Sequence, residues 1–92
     1  MKQILIEKYI EPSERKIGEN SVFESWFNKY GDLHSSMGQP AFICYKEQVL
    51  SQSWYKKGVE HRDRDLPSYI GYSNGQVYYQ EWYKNGELIK EQ

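Results

Sequence analysis

Three Trp-aromatic pairs, Trp26-Phe27, Trp54-Tyr55 and Trp82-Tyr83, recur at a fixed interval of twenty-eight residues along a chain of 92. A period of that size means one supersecondary unit copied and stacked, and it restricts the fold more tightly than local propensity does. A glycine follows each pair, at Gly31, Gly58 and Gly86, and the three prolines, Pro12, Pro40 and Pro67, precede their tryptophans by fourteen, fourteen and fifteen residues. Copies two and three agree best, with His34 matching His61, Ile43 matching Ile70, Tyr45 matching Tyr72 and Val49 matching Val77. The first copy is degenerate, as a terminal cap of an array should be. The chain therefore reads as a single domain, 1–92, with repeats at about 1–31, 32–58 and 59–92.

Each unit reads as a β-hairpin. Its first strand follows the proline, in Ala41-Phe42-Ile43-Cys44-Tyr45 and Ser68-Tyr69-Ile70-Gly71-Tyr72, runs rich in β-branched and aromatic residues and too short for a helix. Asn74-Gly75 predicts a type I′ turn, which needs positive φ at both central positions. Return strands are expected over residues 21–27, 48–55 and 76–83, a second turn at Lys84-Asn85-Gly86, and a charged loop from Lys56-Lys57-Gly58 back to Pro67. An additional strand is expected over Gln3–Ile10, and Glu11–Lys16 reads as loop or a single turn. The expected fold is all-β: a single twisted antiparallel meander of about six or seven hairpin-connected strands.

Charge and composition exclude several classes. Twelve basic against thirteen acidic residues give a net charge of −1, too little to attract nucleic acid or an anionic membrane surface. The opening Ile4-Leu5-Ile6 is the only apolar run near the start, far short of a signal peptide or a membrane span, so a cytoplasmic protein is expected. Cys44, the one cysteine, rules out an internal disulfide and any Cys-rich zinc site, and in an apolar strand it behaves as a small hydrophobe. No phosphate loop, nucleophile elbow or metal-binding motif occurs, so no enzyme activity and no cofactor or metal are expected.

The segments Trp54-Tyr55-Lys56-Lys57-Gly58-Val59-Glu60-His61-Arg62-Asp63, Leu66-Pro67, Tyr72-Ser73-Asn74-Gly75 and Trp82-Tyr83-Lys84-Asn85-Gly86 resemble the MORN-like repeats of bacterial, phage and giant-virus proteins, related to the YwqK-type antitoxin repeats. The resemblance covers about residues 26–88. It implies a β-hairpin array that binds other macromolecules, with no catalytic residues to carry over. Typical MORN units are shorter and richer in glycine, which speaks against membrane-lipid binding here.

Aromatic residues make up 16% of the chain, nine of them tyrosines, and the placement of this excess decides where function is sought. Trp26, Trp54 and Trp82 read as structural marks that stack repeat on repeat, together with Pro40, Pro67, Gly58, Gly75 and Gly86. His34 and His61 share one repeat position; paired histidines can ligate metal or move protons, but a residue recurring with the repeat fits a loop organiser bonding backbone. Tyr55, Tyr69, Tyr78, Tyr79 and Tyr83 are expected to remain exposed on one thin sheet and, with Arg62 and Arg64 of the charged loop, to form a partner-binding surface, since Tyr, Trp and Arg dominate interface hot spots. The leading expectation is a non-enzymatic protein-binding module, an antitoxin-like or phage-encoded inhibitor acting on another protein such as a host defence protein. The alternatives are a structural homodimer or larger homo-oligomer and, more weakly, a carbohydrate-binding module.

Overall fold

A computed structural model describes residues 11–92; the strand expected over Gln3–Ile10 lies outside them. The described chain is all-β, with nine strands: β1 Glu14–Ile17, β2 Val22–Ser25, β3 Phe42–Lys46, β4 Gln48–Ser53, β5 Tyr55–Lys56, β6 Val59–Glu60, β7 Tyr69–Ser73, β8 Gln76–Lys84 and β9 Glu87–Glu91. Seven form one antiparallel meander in the order β1-β2-β3-β4-β7-β8-β9, and β5 pairs with β6 as a separate two-stranded sheet.

Two differences from the sequence expectation have physical causes. Glu14, Arg15 and Lys16, read as loop or a single turn, belong to the edge strand β1: Arg15 stands opposite Glu24, and its Nε donates to the Glu24 carboxylate at 2.9 Å. The return strand expected over 48–55 stops at Ser53. There the Trp54 carbonyl accepts the His61 N–H at 3.1 Å, the Tyr55 N–H donates to Ser35 Oγ at 3.1 Å, and Lys57-Gly58, with φ of +52° and +87°, folds β5 and β6 into a hairpin of their own. The fold is therefore a main sheet plus a small one.

The repeat is visible as a recurring set of bonds. Ala41 N–H donates to Ser53 O and Ser68 N–H to Glu81 O, both at 2.8 Å, and Ser13 N–H to Ser25 O at 2.7 Å. These three residues directly follow the prolines; Ser13 is exposed, whereas Ala41 and Ser68 are fully buried, so Pro40 and Pro67 each deliver a small residue into a closed site. The Ser13 and Ser68 hydroxyls each accept the N–H of the residue after a Trp, Phe27 and Tyr83, at 2.9 Å. Ala41 has no hydroxyl, and Ser35 Oγ accepts the Tyr55 N–H instead.

Each of the hairpins β3–β4, β7–β8 and β8–β9 carries one β-bulge at the same distance from its turn, and the extra residues are Leu50, Tyr78 and Ile89. A bulged residue leaves the ladder and is re-aimed; all three side chains are exposed. The buried apolar core is thin: Trp26, Ala41, Trp54 and Ile70. Both described edges of the main sheet carry charge, Glu14-Arg15-Lys16 on β1 and Glu87, Lys90 and Glu91 on β9, which discourages edge-to-edge pairing.

Candidate functional site

The Trp hairpins of successive copies stack through a second ladder. Gly58 N–H donates to Leu33 O at 2.9 Å and Gly86 N–H to Glu60 O at 2.8 Å; Ser35 N–H donates to Tyr55 O at 2.8 Å and Arg62 N–H to Tyr83 O at 3.4 Å. Both histidines serve this ladder. His34 Nδ1 accepts the Lys57 N–H at 3.0 Å, and His61 Nδ1 accepts the Asn85 N–H at 2.9 Å. With Nδ1 accepting, a neutral ring carries its proton on Nε2. In His61 that N–H meets the Asp63 carboxylate at 2.8 Å and holds the carboxyl below its ordinary range.

Trp26 and Trp54 are buried and Trp82 is half-buried. The loop after one tryptophan pins the next tryptophan along the chain: Trp54 Nε1 donates to Gly38 O at 2.9 Å and Trp82 Nε1 to Asp65 O at 3.0 Å. The same loops leave a cleft between copies two and three, of about 590 Å³. It is lined by Trp54 and Tyr55, by His34, Met37 and Lys56, and by His61, Arg62, Arg64 and Leu66.

Arg62 lies over the Trp54 ring. Its guanidinium carbon sits 3.7 Å from the Trp54 ring centre, Nη1 donates to Pro67 O at 3.1 Å, and burial draws its pKa down from the usual arginine value. Lys90 holds the equivalent place over Trp82, at 4.3 Å. Arg64 and Asp65 both adopt positive φ, +67° and +55°, matching Met37 and Gly38 in the preceding copy, and both side chains are exposed. Tyr55 is half-buried, and burial followed by the charge of Glu60 raises its pKa.

The remaining tyrosines gather elsewhere, on the main sheet. Tyr69 and Tyr79 meet edge to face with ring centres 6.2 Å apart. The Tyr79 hydroxyl lies 2.7 Å from both Glu81 and Glu91, which stand directly opposite each other across β8 and β9, and these hydrogen bonds push its pKa up. Tyr83 is half-buried, its pKa raised by burial and then by Glu81, Glu60 and Glu91. Of the five tyrosines expected to be exposed, only the bulged Tyr78 is; Tyr55, Tyr69, Tyr79 and Tyr83 are half-buried, because each packs on or bonds to a neighbouring strand or copy. The structure thus gathers Tyr55, Arg62 and Arg64 at the cleft and leaves Tyr69 and Tyr79 at a separate, carboxylate-rich face.

Cys44 is half-buried on β3, and among the described residues no three His, Cys, Asp or Glu side chains come together as metal ligands. No helix among the described residues is long and apolar enough to cross a membrane. No protein-family model, curated protein or solved structure matches the chain.

Proposed function

We propose that this chain is a non-enzymatic protein-binding module that acts by occluding a partner's surface, with the cleft between its second and third repeats as the contact site. The observation that carries this reading is the fixed pose of Arg62. Stacked on Trp54 and tethered to Pro67 O, it loses little further freedom on binding, and preorganised Arg and aromatic side chains at a concave surface are what dominate binding energy at protein interfaces. Exposed Met37 and Leu66 on the facing loops add an apolar rim. The resemblance to MORN-like and antitoxin repeats supports an inhibitor of the antitoxin or phage type, working in the bacterial cytoplasm.

Photo-crosslinking tests the site. A photoreactive residue replacing Arg64 is expected to capture a protein from bacterial lysate, competed away by untagged chain, whereas one replacing Lys16 on β1 captures none. Equal capture from both positions, or capture from neither, overturns the reading.

A further inference from the structure

The cleft inverts the charge of the chain around it. The protein carries a net charge of −1, yet three cations, Lys56, Arg62 and Arg64, line the cleft against a single carboxylate, Asp63. That carboxylate, held ionised by the hydrogen bond from His61 Nε2 at 2.8 Å, is outnumbered by the three cations around it. The Arg62 guanidinium is held by Trp54 and Pro67 O before any ligand arrives, and the exposed Arg64 side chain lines the same cleft. His34 also lines it, with Nδ1 occupied by the Lys57 N–H, leaving Nε2 as the ring nitrogen that carries the proton of the neutral form.

Resting on the protein-binding reading above, we propose that the cleft seats an acidic segment of the partner protein: a side-chain carboxylate facing Arg62, Arg64 and Lys56, and a neighbouring apolar side chain against Met37 and Leu66. Guanidinium groups match a carboxylate in a planar, two-bond geometry that an ammonium lacks, and a desolvated floor strengthens the pairing. A polynucleotide fits this cleft less well than a peptide. Single strands bind by stacking bases on open aromatic faces, and here the Trp54 ring is already covered by Arg62. The exposed Met37 and Leu66 side chains offer a peptide's apolar residue a contact that a phosphate backbone does not use.

The test is a nuclear magnetic resonance titration of the full chain with three probes: a short capped peptide alternating Glu and Leu, the same peptide with Gln in place of Glu, and oligothymidylate. The Glu peptide is expected to shift the Arg62 side-chain N–H, the Lys56 and Arg64 amides and the Met37 methyl saturably. The Gln peptide should bind roughly tenfold more weakly or worse. Arg64→Gln is expected to weaken the Glu peptide by about tenfold while leaving the melting temperature unchanged, since the Arg64 side chain is exposed. Equal binding of the Gln peptide, or tighter binding of oligothymidylate at the same resonances, overturns the acidic-segment proposal. If no peptide binds while the crosslink from position 64 persists, the acidic chemistry fails and the protein-binding module stands. If both are absent, both readings fall.

Discussion

The Nδ1 atom of His61 accepts the Asn85 N–H at 2.9 Å, tying the start of the third repeat to that repeat's closing turn, and His34 makes the same bond to Lys57 one copy earlier. His61 is buried, and its other nitrogen is engaged by Asp63, so the ring is held at both ends. Replacing it by Ala leaves a backbone donor without its partner and opens a void beneath the turn. His61→Ala is expected to cost about 1–3 kcal/mol. The half-buried His34, whose turn is better hydrated, should cost less when replaced. Urea denaturation of the two variants checks the order, and a larger loss for His34→Ala would contradict it.

Acid dependence follows from the same ring. The hydrogen bond from His61 holds the Asp63 carboxyl below its ordinary value of 3.8, so the ionised form is favoured in the folded state. A depressed carboxyl contributes stability that is present above the unfolded pKa and lost as pH falls through the folded one. Stability should therefore fall as pH drops from about 4 toward the depressed value, and Asp63→Asn should remove this component. Glu60 has the opposite sign: burial and then the charge of Glu81 raise its pKa, so its ionised form is disfavoured by folding and it contributes most at low pH. Glu60→Gln is expected to raise the melting temperature at pH 7 and to bring less benefit at pH 4. Thermal melts of both variants across that range read the two signs directly.

What was legible in the sequence was whatever the repeat or a turn imposes locally. Asn74 and Gly75 adopt φ of +54° and +80°, as the dipeptide predicts, and the strands after Pro40 and Pro67 begin within a residue of their expected starts. Edge strand β1 was not legible. Its four residues are all exposed, so no alternation marks them, and what makes them a strand is pairing with β2, above all Arg15 with the buried Glu24. The break at Trp54 was hidden because residues 48–55 have strand character throughout; what takes the chain off the ladder is distant in sequence, the His61 N–H donating to the Trp54 carbonyl and the Ser35 hydroxyl accepting the Tyr55 N–H. Arg62 and Arg64 stood out as a charged loop, but Met37 and the cleft it borders belong to the space between two copies. Only stacking creates that space.

The positive φ of Asp65 gives a test that uses the repeat as its own control. Copy two places Gly38 at this position, with φ +81°, and both residues offer their carbonyl to the next tryptophan's indole N–H. Left-handed backbone costs a residue with a Cβ about 1–2 kcal/mol, somewhat less for Asp. Asp65→Gly removes that strain but adds chain entropy to the unfolded state and loses the loose Lys84 pair at 3.9 Å. A net stabilisation of about 0.5 kcal/mol is expected in denaturant titration. A loss of stability would mean that the Asp65 side chain, although exposed, holds the loop.

Arg62 and Trp54 separate what the cleft does for the fold from what it does for a partner. A guanidinium 3.7 Å from an aromatic ring centre, half-buried and bonded to a carbonyl, stabilises by about 1–2 kcal/mol through charge and ring, and its stem covers apolar surface besides. Arg62→Ala should therefore lower the melting temperature by roughly 4–16 °C for a domain of this size and shift tryptophan emission to longer wavelength as Trp54 meets water. Arg62→Lys should recover part of the loss, because Lys90 already occupies the equivalent place over Trp82. Its ammonium lacks the planar fork, so the lysine variant is expected to fold nearly as well as the parent and yet bind an acidic peptide more weakly. Equal binding by the lysine variant would reduce Arg62 to a structural lid on Trp54 and leave recognition to Arg64 and Lys56.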